Sequence, residues 1–316
     1  MNSSVERLIQ EAYDSLKASD AMSAMEALEE ALKIDYEHPE VVYALKCINW
    51  WQERMKQLSE LSEVYEKGNF ILSLWKPFYI FMDRIGPGYE KCVYALRRYV
   101  FAVALKFFKE VLTESDDNSD NALLFLQAGR CYKGCGNYEL AIKYLEHAAR
   151  LKKDDGATLS ELADVNALLE ETRYAKVLFR EAFFLAPQAI DLRSLESELI
   201  IRLRDKVASL GYSEQEIAEW IPVYGNLYGV FSVKRELKPI ELRKLKDSIF
   251  ALENEVKNRP ESLLFSKPRL LNRYFWLIDH YENVKEDPRR EAALLIEETM
   301  LKIRVIDPAI YEQFRN

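Results

Sequence analysis

Histidine is nearly absent from this sequence, with three in 316 residues, and cysteine occurs only four times. Zinc sites draw several His and Cys ligands at matched spacing. Cys47, Cys92, Cys131 and Cys135 are scattered, and only the last two lie one helical turn apart. No metal site is expected, and the thiols read as free and buried in a reducing compartment. Glycine and proline number ten each, which argues against long flexible linkers. Gly86-Pro87-Gly88 lacks the Lys-Ser/Thr sequel and the preceding strand of a phosphate loop. His38, His147 and His280 have no neighbours suited to a zinc site or a catalytic constellation. No catalytic residue, cofactor-binding residue or cofactor is therefore expected. Long Val/Ile/Thr alternation is missing, which argues against strands. The most apolar run, Phe70–Met82, is thirteen residues and contains Lys76 and Pro77, whereas a membrane span takes about twenty, so no transmembrane segment is expected. The start, Met-Asn-Ser-Ser-Val-Glu-Arg, has no apolar signal core. These features point to the cytoplasm.

What remains is an all-α composition, 49% hydrophobic and 30% charged, with net charge −8. The acidity is concentrated: residues 1–40 hold ten Asp/Glu and three Lys/Arg, while 188–316 hold 22 acids and 21 bases. Such a field suits neither nucleic acid nor anionic lipid, but the acidic first helices could attract a basic partner. The five tryptophans sit at helical spacing among apolar residues and read as core, with Trp51 or Trp220 the alternative as exposed anchors.

Two neighbouring stretches then repeat one pattern at an offset of 34 residues. Phe125, Ala128, Gly129 and Tyr132, followed by Ala141, Leu145 and Ala148, recur as Leu159, Leu162, Ala163 and Asn166, followed by Ala175, Phe179 and Ala182. Each unit holds two helices of about a dozen residues, roughly 20 Å long. Gly134-Cys135-Gly136-Asn137 is suited to stopping one helix and starting the next. Gly129 lies mid-helix, where glycine costs about 1 kcal/mol against alanine. The offsetting gain expected is close approach of the second helix, which presents the small residues Ala141 and Ala148.

The spacing resembles the tetratricopeptide repeat, W-x2-L-G-x2-Y, then A-x3-F-x2-A, then P. The match is specific over 122–189, with Pro187 in the terminal position, and looser elsewhere. Leu8, Ala12, Ala24, Leu28, Ala31 and Ile34 keep the spacing near the N-terminus. Leu58, Leu61, Ser62 and Tyr65 suggest another first helix, with Gly68-Asn69-Phe70 as its connection and Pro77 interrupting the second. Residues 40–55 read as an added helix. Ala104, Phe108 and Val111 fit a second helix before an acidic turn, Glu114–Asp120, with a poorly matching partner around Tyr89–Tyr99. In the later segments, Asp191–Leu210, Glu214–Val233, Pro239–Lys257, Leu271–Tyr281 and Ala292–Ile306, the periodicity stays helical while the family signal fades, although Tyr274, Leu277, Ile278 and Tyr281 keep the spacing of a first helix.

The resemblance implies a right-handed α-solenoid of antiparallel helix pairs over 1–189, with a divergent helical module over 190–316 that continues or caps it. It implies a protein or peptide partner held in a concave groove made by the first helix of each pair. Residues not needed for packing there are Ile9, Tyr13 and Lys17, then Leu126, Arg130 and Lys133, then Ser160, Asp164 and Ala167. Chaperone-binding members hold a carboxylate with Lys and Asn on adjacent first helices. Here the Asn is missing and Asp164 would repel a carboxylate, so that clamp is not expected. The leading function is a non-enzymatic adaptor or scaffold. The second is an assembly subunit of a larger secretion, envelope or motility complex, docking through its aromatic-rich segments 212–232 and 268–283. The third is a ligand site or enzyme around His280 and Tyr274.

Overall fold

A computed structural model describes residues 2–114, 121–233, 236–284 and 289–315; the expected acidic turn falls on 115–120, outside the described residues. Among the described residues every regular element is helical. By compactness the chain divides into two units, Met1–Lys152 and Lys153–Asn316.

The first unit contains α1 (Asn2–Lys17), α2 (Ala21–Ile34), α3 (Pro39–Met55), α4 (Val64–Ser73), α5 (Trp75–Ile85), α6 (Glu90–Glu114), α7 (Ala122–Gly134) and α8 (Tyr138–Leu151). α1 packs on α2 and α6, α4 on α6, α6 on α7, and α7 on α8. Trp50, Trp51 and Trp75 gather around Phe78, with ring centroids 5.1–5.5 Å from it. All three tryptophans are buried, as are Trp220 and Trp276, so neither Trp51 nor Trp220 is an exposed anchor.

Three expectations fail in this unit. The first helix expected across Leu58, Leu61, Ser62 and Tyr65 is instead a short 3-10 helix at Lys56–Glu60, an irregular stretch over 61–63 and then the start of α4. Gly68-Asn69-Phe70 is not a connection, because α4 runs through it. A Cβ on Gly68 would stand 2.7 Å from the Phe108 ring of α6, so this glycine serves close approach and not a turn. The chain instead breaks at Leu74, which puts Pro77 in the first turn of α5, where its missing N–H costs no helical bond. The separate helices expected at Tyr89–Tyr99 and Ala104–Val111 are one helix of 25 residues, since no glycine or proline interrupts 90–114.

The second unit contains α9 (Gly156–Leu168), α10 (Thr172–Leu185), α11 (Glu198–Ala208), α12 (Glu214–Leu227), α13 (Pro239–Asn258), α14 (Leu263–Asn283), α15 (Arg289–Ile306) and α16 (Pro308–Arg315). α14 is its axis, packed by α10, α12, α13 and α15. The helix expected from Asp191 starts only at Glu198, because side chains of α9 hold the preceding segment: Asp164 accepts backbone N–H bonds from Glu196 and Ser197 at 2.8–3.0 Å, and Glu161 accepts from the Ser194 hydroxyl at 2.8 Å. These ties also place the second repeat with the later helices, so compactness divides the chain 37 residues before the change in repeat character at 189/190.

Candidate partner-binding surface

Three helix pairs share one turn. Ser19, Gly136 and Glu170 each take a left-handed backbone conformation, with φ of +66°, +77° and +65°. The N–H of each bonds the carbonyl three residues back, and the next N–H bonds the carbonyl five back: Asp20 to Ser15, Asn137 to Tyr132, Glu171 to Asn166. This is the bond set that closes a helix end around a left-handed residue. Gly136 adopts it freely, while Ser19 and Glu170 carry a Cβ into a region that L-residues visit at a cost of about 1–2 kcal/mol. The pair α1–α2 thus has the turn geometry of the two clear copies. The 34-residue offset extends to the caps, since Asn121 accepts from Leu124 N–H and Asp155 from Thr158 N–H.

Inside the pair α7–α8, a Cβ on Gly129 would stand 2.6 Å from Leu145 Cγ, while Ala141 and Ala148 are wholly buried. Small residues therefore set the spacing between the two rods, as the pattern requires. In α9–α10 the equivalents Ala163, Ala175 and Ala182 are wholly buried too. Asn166 stands where the first copy has Tyr132, and its amide donates to the Leu162 carbonyl at 2.7 Å, which satisfies it inside the helix.

The nine groove residues divide. Ile9, Tyr13, Leu126, Lys133, Ser160 and Asp164 are buried. The expectation that they are spared from packing is corrected: these faces are already covered. Tyr13 donates to Glu40 Oε1 at 2.8 Å, and burial raises its phenol far above the usual range. Ser160 donates to the Ala157 carbonyl at 2.8 Å. Asp164 holds the 196–197 backbone, so its carboxylate is already engaged inside the unit. Lys17, Arg130 and Ala167 remain partly accessible. Sequence reasoning passed over the exposed apolar residues Phe250, Leu294, Leu301 and Val305. The seven-residue spacing of Leu294 and Leu301 was the available signal.

Polar chemistry in the second unit is inward. Arg180 and Asp279 form a buried ion pair, with Arg180 also donating to the Val233 carbonyl at 2.8 Å and stacking 4.2 Å from the Trp276 ring centre. Glu219, fully buried, accepts from Arg269 Nε at 2.9 Å. His280 Nδ1 accepts the Leu237 N–H at 3.0 Å, which leaves the ring proton on Nε2. Burial holds its pKa below the ordinary value. Tyr274 donates to Glu253 at 2.8 Å. In the first unit Cys131 and Cys135 are free; burial pushes the Cys131 thiol well up and the Cys135 thiol to about 11, so neither is a ready thiolate. Among the described residues no group of three or more His, Cys, Asp or Glu side chains gathers as a metal site.

The family model of the tetratricopeptide repeat matches residues 122–155, the α7–α8 pair with the cap of α9. Over those residues the chain carries a tetratricopeptide repeat. No curated protein matches the chain. A tetratricopeptide repeat indicates a role in protein–protein interaction. Among the described residues no helix is long and apolar enough to cross a membrane.

Proposed function

We propose that this protein is a non-enzymatic adaptor or scaffold of the cytoplasm that holds a peptide or helix of a protein partner on the first helices of its repeats. The carrying observation is the well-formed α7–α8 repeat with Arg130 left accessible on its first helix. Lys17 on α1 is the other accessible candidate of the first unit, and Ala167 on α9 is the accessible candidate of the second unit taken by itself. The six buried candidates act by holding these helices in place. The acidic surplus of residues 1–40 favours a basic partner segment.

The test is affinity purification from the native cell with wild-type and Arg130→Glu chains, followed by mass spectrometry. The expected result is a defined protein partner lost from the variant while its melting temperature holds. Equal recovery with both chains removes Arg130 from the surface, and robust turnover by the purified protein removes the reading. Membership of a larger complex belongs to the same proposal. Of the aromatic segments 212–232 and 268–283, Trp220, Tyr224, Tyr274 and Trp276 are buried, whereas Tyr228 is exposed and is the ring such docking would use.

A further inference from the structure

Apolar surface is left in the open on α15. Leu301 is 51% and Val305 84% exposed, and Leu294 continues the same row one heptad before Leu301. Scattered single apolar residues on a surface are ordinary, but an aligned row is not. Positions 294, 298, 301 and 305 keep the alternating 4-3-4 spacing of a helix–helix seam over a rod about 27 Å long. Beside the row, between α13 and α15, lies an open groove of about 500 Å³, lined by Val256, Leu301, Val305 and Ile306 with the buried Tyr274 among them. Glu298 occupies the one polar seam position, and Lys302 neutralises it from 3.6 Å while also bonding Glu253 across the groove at 3.2 Å.

The geometry points to a second copy of this chain as the occupant, its α15 lying antiparallel on the first. In that direction the seam closes without a like-charge contact. Leu294 facing Val305 of the second copy shares its midpoint, between 299 and 300, with Leu301 facing Glu298 of the second copy. One register therefore serves both contacts, twice over, by two-fold symmetry. On the flank, Glu297 and Arg304 lie one heptad apart on the same edge. Antiparallel helices bring like edges together, so each Glu297 meets the Arg304 of the other copy. A parallel pairing instead stacks Glu298 on Glu298 in the seam, a like-charge contact out of water. The groove beside α15 receives the flank of the incoming helix.

The experiment is multi-angle light scattering and sedimentation on the full chain. The expected mass at micromolar concentration is twice the 37.0 kDa of one chain. Val305→Glu, at a position open to solvent, is expected to weaken association by at least about tenfold with unchanged helicity by circular dichroism. Glu297→Lys weakens it as well, and Glu297→Lys with Arg304→Glu in one chain restores it. Orientation is read by oxidative cross-linking with oxidised glutathione: a mixture of Leu294→Cys and Val305→Cys chains forms a covalent dimer, and neither variant does so alone. The unmodified chain, whose Cys47, Cys92 and Cys131 are buried, is the control. A wild-type mass of 37.0 kDa at the highest soluble concentration overturns the proposal, including the case where another protein takes the face. Self-cross-linking of either single variant overturns the antiparallel register.

Discussion

The α7–α8 and α9–α10 pairs are the same repeat in two settings. Both have buried alanines at 34-residue offset, the same side-chain cap on the first helix and the same left-handed turn. They part in what the outer faces carry. α9 buries polar side chains almost all round, and Glu161 and Asp164 use that burial to hold the 194–197 segment. α10 contributes Arg180 to the ion pair with Asp279 of α14. The contrast teaches that the inner contact of a repeat is generic, whereas its outer face is free to become core, provided each buried polar group finds a partner.

The comparison can be broken where it is strongest. Asp279→Ala leaves Arg180 without its carboxylate in the interior and is expected to cost about 3–5 kcal/mol. Hydrogen exchange should show the loss in α9–α16 and spare α1–α8; equal loss in both units would end the distinction between them. Ala141→Arg and Ala175→Arg probe the shared inner contact, and each should cost more than about 3 kcal/mol through overpacking and charge burial. A melting temperature unchanged in either would show that small residues do not set the spacing there. Asp164→Ala should cost about 1–3 kcal/mol and loosen exchange at Glu196 and Ser197, with no counterpart in the first copy. Glu170→Gly should stabilise by about 1 kcal/mol by relieving a left-handed glutamate, while Gly136→Ala should destabilise by about as much. The same sign for both would refute the common turn. The smallest effect is a pH effect. Burial holds the folded-state pKa of His280 below its ordinary 6.5. Its stabilising contribution is therefore full above 6.5 and is lost as pH falls through the folded value. His280→Gln should flatten that part of the stability–pH curve.

Much of the pairing was legible because it rests on short-range spacing. Gly129 against Leu145, Ala141 and Ala148 at the contact, and Gly136-Asn137 in the turn all follow from one helix pressing on the next. Gly68 misled for an instructive reason. A glycine between polar residues reads as a turn, yet here it makes room for Phe108, forty residues away in α6. The groove residues failed similarly. Leu126 and Lys133 are at surface positions of an isolated pair, and only neighbours outside the pair decide that they are buried. The left-handed turns at Ser19 and Glu170 carried no glycine to announce them.

By itself the sequence determined the helical class, the 34-residue pairing and the small-residue contacts. Those depend on periodicity and side-chain volume within one pair of helices, where every partner is at most a few dozen residues away. Tertiary structure alone decided which outer faces became interior, where Asp164, Arg180 and Glu219 found partners, and which row on α15 was left in water. Burial and ion pairing at those places join residues up to 99 apart, and no local pattern encodes which distant surface arrives.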